Sequence, residues 1–78
     1  MSPIFLREKG YKFLVHSNEE NRMHIHVEKG DKECKFWMEP IVELSENFGF
    51  RTFEINKIKK IIENYEIKFR ESWNKHFC

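Results

Sequence analysis

His24-Ile25-His26-Val27-Glu28-Lys29-Gly30-Asp31-Lys32-Glu33-Cys34-Lys35-Phe36-Trp37 is the stretch whose reading decides the fold. Its first five residues alternate polar and apolar. Side chains along a strand point to opposite faces in turn. His24, His26 and Glu28 therefore share one face, and Ile25 and Val27 share the other. Lys29-Gly30-Asp31 makes a tight connection in which Gly30 can take positive φ. Lys32 to Met38 returns as a second strand, ended by Pro40. The stretch reads as a β-hairpin with one apolar face and one face bearing two imidazoles and a carboxylate.

The flanking sequence extends this hairpin into a sheet. Ile4 to Arg7 reads as a short strand with Pro3 at its mouth, and Glu8-Lys9-Gly10 as a turn. Tyr11 to His16 reads as a further strand. It places Tyr11, Phe13 and Val15 on one face and Lys12, Leu14 and His16 on the other. Ser17 to Arg22 is a polar loop. Ile41 to Leu44 reads as either a short fifth strand or a loop, and Asn47-Phe48-Gly49 marks the entry to the C-terminal half.

Thr52 is the expected helix N-cap, although Glu54 follows it by two residues and not by the three of a capping box. Ile58, Ile61, Ile62, Tyr65, Phe69 and Trp73 then fall at helical spacing, and no Pro or Gly interrupts residues 50 to 78. One helix over about residues 52–76 is the simplest reading, with a break near Asn64 as the alternative. Its apolar stripe needs a surface to cover, and one face of the sheet is the surface on offer. The expected architecture is α+β: a small antiparallel sheet of three to five strands within residues 3–45, packed on one face by a long C-terminal helix. The chain reads as a single domain over residues 1–78.

The opposite face of such a sheet stays solvated unless a partner covers it. If Phe36 points inward, Lys35 and Trp37 join His24, His26 and Glu28 on that face, with Lys12 and His16 beside them. Trp37 also has a plain reading as a core residue.

Composition narrows the function classes. The chain has 78 residues, with 15% aromatic and 35% charged side chains and a formal net charge of +1. A charge so near neutral gives little whole-molecule attraction to nucleic acid or membrane, so any such contact has to come from a local patch. Cys34 lies inside a strand and reads as core, and Cys78 ends the chain. The pair suggests neither a disulfide framework nor a close metal-ligand pair, and reduced thiols in the cytoplasm are the expectation. The N-terminus turns charged at Arg7 and does not read as a signal peptide. No apolar run approaches the roughly 20 residues of a membrane helix.

The run His24 to Asp31, followed by Lys35-Phe-Trp-Met-Glu-Pro40 and the ending Glu71-Ser-Trp-Asn-Lys-His-Phe77, resembles a small prokaryotic family known as domain of unknown function four-one-six-zero. Tyr11-Lys-Phe13 and Ser17-Asn18 fit the same pattern, so the resemblance spans nearly the whole chain. The chain departs from the pattern at Glu19 to Met23, where a proline-containing segment would be expected. The resemblance implies a gene arrangement in which a second small gene lies alongside, like a toxin–antitoxin pair. It therefore implies a toxin-like protein with a cognate small antitoxin-like partner, and it brings no established active site.

The chemistry of the polar face suits that reading. Imidazoles titrate near neutral pH, so two of them can act as general base on a 2′-hydroxyl and general acid on the leaving oxygen of RNA. Histidines two apart on a strand sit about 6–7 Å apart, a workable span for one phosphate. His24 and His26 are the expected catalytic pair, with His16 and Glu28 in support. Lys12, Lys29 and Lys35 are the expected phosphate contacts and Trp37 the expected stacking surface. No resident cofactor is expected. The alternative is zinc held by His24 and His26 and completed by Glu28 or His16. Arg51, Lys57, Lys59 and Lys60 read more plainly as a solvated helix face, Glu71 and Lys75 as an i,i+4 pair, and His76 as a cation favoured near a helix end. The competing function class is a non-enzymatic interaction module, antitoxin-like or nucleic-acid-binding, that pairs with the neighbouring gene product. Self-association into a homo-oligomer fits either class.

Overall fold

The hairpin of residues 24–37 is the centre of the sheet. The computed structural model of the chain describes residues 4–16 and 22–77. Five strands precede two helices: β1 (Ile4–Glu8), β2 (Tyr11–Leu14), β3 (His24–Lys29), β4 (Lys32–Trp37), β5 (Glu43–Phe48), α1 (Thr52–Asn64) and α2 (Glu66–Phe77). The strands lie in the order β1-β2-β3-β4-β5, each antiparallel to the next. This is the expected α+β architecture at its upper strand count. Pro3, the loop segment from Ser17 to Asn21, and Cys78 lie outside the described residues.

Two short turns set the register. Gly30 takes φ 63° in the two-residue turn that pairs Lys29 with Lys32. Lys9 and Gly10 both take positive φ, 52° and 86°, in the turn that pairs Glu8 with Tyr11. Two consecutive positive φ values match the twist of a two-residue hairpin.

The pairing fixes the faces. Phe13 lies opposite Val27, Ile25 opposite Phe36 and Val27 opposite Cys34. These residues, with Tyr11 and Val15, form a fully buried layer against Ile58, Ile61, Ile62 and Phe69 of the helices. Phe13 stacks on Phe69 with ring centroids 5.5 Å apart and planes 27° apart. Each large apolar side chain buried in this layer contributes about 1.5–3 kcal/mol.

Three boundaries differ from the sequence reading. The fifth strand is Glu43–Phe48, not Ile41 to Leu44, so the sheet runs past residue 45. It is an edge strand with no buried residue, and its polar sequence therefore carries no alternation to read. The helix N-cap is Arg51, not Thr52. From Arg51, Glu54 is three residues on, and its carboxylate accepts the Arg51 backbone N–H at 3.3 Å. The single long helix is two, parted at Tyr65 (φ −110°, ψ 21°), beside the Asn64 that the alternative reading marked. Arg70 then ties α2 to the sheet by donating to the Met38 carbonyl at 2.9 Å, while its guanidinium pairs with Glu66 at 2.9 Å.

Candidate functional site

The face turned away from the apolar layer carries the titratable groups. Lys12 lies opposite Glu28, Leu14 opposite His26, His26 opposite Lys35, Glu28 opposite Glu33, and His24 opposite Trp37. Phe36 does point inward, so Lys35 and Trp37 join the histidines. This face is less open than the sequence reading expected. Leu14 and Lys35 are buried, and His24 is 0% exposed.

His24 is thus not a solvated group. Its Nδ1 lies 2.7 Å from the Arg22 carbonyl oxygen, to which a protonated Nδ1 donates. Its ring meets Trp73 of α2 edge-on at 5.0 Å, Trp37 at 5.7 Å and His26 at 5.2 Å. The sequence signalled two histidines on one face. It gave no sign that the end of α2 would bring Trp73 onto one of them.

His26 is placed differently. Its side chain is 12% exposed, and its Nδ1 lies 3.6 Å from Glu33 Oε2. The His16 ring packs against it with centroids 4.3 Å apart. His16 Nε2 is 4.0 Å from the same Glu33 oxygen, and the His16 and Glu33 side chains are 41% and 43% exposed. One ligand-competent atom from each of the three lies within 4.8 Å of the others. His16 comes from just beyond β2, His26 from β3 and Glu33 from β4. Two adjacent strands and the segment that leaves β2 therefore bring the group together.

Glu33 was absent from the sequence-based candidates, but a signal for it existed. Residues 33, 35 and 37 share a face by strand parity, so the argument that placed Lys35 and Trp37 beside the histidines also places Glu33 there. Glu28 is on the same face, opposite Glu33. Lys29 is not. It shares parity with Ile25 and Val27, and its ammonium sits 4.9 Å from the Tyr11 ring centroid. Trp37 is not an open stacking surface. The Arg22 guanidinium lies 4.1 Å and the Lys35 ammonium 4.3 Å from its ring centroid. A nucleobase would have to displace these cations to stack there.

Cys34, next to Glu33 in sequence, faces the apolar layer and is fully buried. Burial, followed by the Glu33 charge, pushes its thiol up to about 12. It supplies no thiolate near neutral pH. No described helix is long and apolar enough to cross a membrane.

A family model described as a domain of unknown function (DUF4160) matches residues 10–74. The chain belongs to the DUF4160 family. The DUF4160 match takes in His16, His26 and Glu33 together with Trp73. No curated protein and no solved structure matches.

Proposed function

We propose that this domain is the toxin-like member of a two-protein module and acts on RNA at His16, His26 and Glu33. The observation that carries the reading is the carboxylate–imidazole–imidazole cluster, in which Glu33 lies 3.6 Å from His26 and the His16 ring packs on the other imidazole. The family's implied pairing with a second small gene product supports it.

The chemistry follows from the geometry. Glu33 beside His26 Nδ1 favours the tautomer with the proton on Nδ1, which leaves the Nε2 lone pair as a base. His26 removes the 2′-hydroxyl proton, and the oxygen attacks the adjacent phosphorus. His16, as the general acid, gives a proton to the departing 5′-oxygen. The products are a 2′,3′-cyclic phosphate and a 5′-hydroxyl. Lys35, opposite His26 on β4, offers a cation to the charged phosphorane. The rings are side by side at 4.3 Å, so the exposed His16 ring swings outward to bracket a phosphate.

Purified protein incubated with a single-stranded RNA tests this. The expected products carry cyclic phosphate ends, and His26→Ala lowers the rate by about a hundredfold or more. RNA left intact by the wild type, or cut equally well by a His16→Ala, His26→Ala variant, overturns the reading.

A second reading rests on a different observation. Phe48 at the end of edge strand β5 and Phe53 in α1 are both 62% exposed, and Leu44 of β5 is exposed as well. An edge strand with apolar side chains is a surface onto which a partner can add a strand. A module of that kind leaves RNA intact.

A further inference from the structure

We infer that His16, His26 and Glu33 form a binding site for a zinc-like divalent transition metal ion. Two imidazole nitrogens and one carboxylate oxygen are a donor set that such ions take, and three protein ligands leave a fourth position for water. Calcium and magnesium prefer six or more oxygens and do not suit it.

The distances fit with small adjustments. Metal–ligand bonds of about 2.0–2.1 Å in a tetrahedron put ligand atoms roughly 3.3 Å apart. His26 Nδ1 and Glu33 Oε2 are 3.6 Å apart, and His16 Nε2 and Glu33 Oε2 are 4.0 Å apart. One ligand-competent atom from each of the three residues lies within 4.8 Å of the others. The two more exposed side chains, His16 and Glu33, close the gap by rotating, while β3 and β4 hold the backbones of His26 and Glu33. Glu28, opposite Glu33, adds negative charge to this face. The Lys35 ammonium lies over Trp37.

Among the described residues, the other neighbours do not complete such a set. His24 is fully buried with Nδ1 on the Arg22 carbonyl, so the pair His24 and His26 does not make the site. Cys34 is on the opposite face. The ion takes the Nδ1 lone pair of His26, so the proton that faced Glu33 leaves that nitrogen, and uptake weakens as pH falls. The metal-bound and acid–base states of His26 are then mutually exclusive. The consequence, which rests on the proposed action on RNA, is that the loaded protein is the silent form.

The test is a cobalt titration of tag-free, chelator-stripped protein, followed by zinc displacement read in a calorimeter. The expected result is one ion per chain, visible absorption of tetrahedral cobalt, and a raised Tm in zinc. Glu33→Gln and His16→Ala, each checked for native circular dichroism, weaken uptake by about tenfold or more, whereas His76→Ala does not. No uptake, or uptake unchanged in those variants, overturns the site. The RNA assay is run separately with and without zinc. Uptake without any RNA cleavage keeps the metal site and removes the RNA reading. Cleavage unaffected by a bound ion overturns the silencing.

Discussion

His24 Nδ1 lies 2.7 Å from the backbone carbonyl oxygen of Arg22, and the ring it belongs to is wholly buried. His26, two residues along the same strand face, lies instead beside Glu33. Equivalent in the sequence pattern, the two have separate tasks: His24 pins the sheet to Trp73 of α2, and His26 serves the surface cluster. His24→Ala leaves a cavity and removes the His24 hydrogen bond to the Arg22 carbonyl, and should cost about 2–4 kcal/mol. His16→Ala, at a half-exposed position, should cost within about 0.5 kcal/mol. Urea unfolding of both variants checks this. A wild-type midpoint for His24→Ala would show that the histidine is no pin.

Lys9 takes φ 52° in the turn before Tyr11. A side chain other than Gly, Asn or Asp is strained there, and Asn-Gly is the pair that a two-residue turn of this hand favours. Lys9→Asn is expected to stabilise the protein by about 0.5–1 kcal/mol. A lower thermal midpoint in the variant would contradict the turn geometry.

The carboxyl of Glu54 is held below its ordinary value, first by the Arg51 backbone N–H and then by Lys32 at 3.4 Å, against the effect of burial. A carboxyl whose folded pKa is depressed adds stability above its unfolded value, and that stability is lost as pH falls through it. Glu54→Gln should therefore be less stable than wild type at pH 7, with the gap closing as pH drops below 4.5. Denaturation curves across that range decide it. A gap independent of pH would assign the effect to packing alone.

The Cys34 thiol, fully buried and pushed up to about 12, should be inert to a disulfide reagent in native Cys78→Ser protein at pH 8. It should react at once in denaturant. Fast labelling of the native variant would mean that β4 opens far more readily than its burial implies.

Much of the fold was legible because the decisive signals are periodic. Period two in residues 24–28 and 11–15, and helical spacing from Ile58 to Trp73, each report a buried face, and burial is what the sheet and helices share. Strand β5 was misplaced because an edge strand with no buried residue carries no such signal. The cap at Arg51 was missed because Arg is an uncommon N-cap residue, and Glu54 supplies the hydrogen bond from three residues away. At the candidate site, parity grouped His26, Lys35 and Trp37 correctly on one face. Parity could not separate His24 from His26, because what buries His24 is a contact with Trp73, 49 residues further along the chain. Lys29, expected as a phosphate contact, shares the parity of Val27 and so points away from the histidines, toward Tyr11.

Induced expression in a bacterial host, with growth and total RNA followed together, asks whether His16 and His26 cleave RNA in the cell. The wild type and a His16→Ala, His26→Ala variant are compared at equal soluble yield. Growth arrest with cleaved RNA is expected for the wild type, and neither for the variant. Undisturbed growth with intact RNA in the wild type, or arrest that survives in the variant, would contradict the proposed action on RNA.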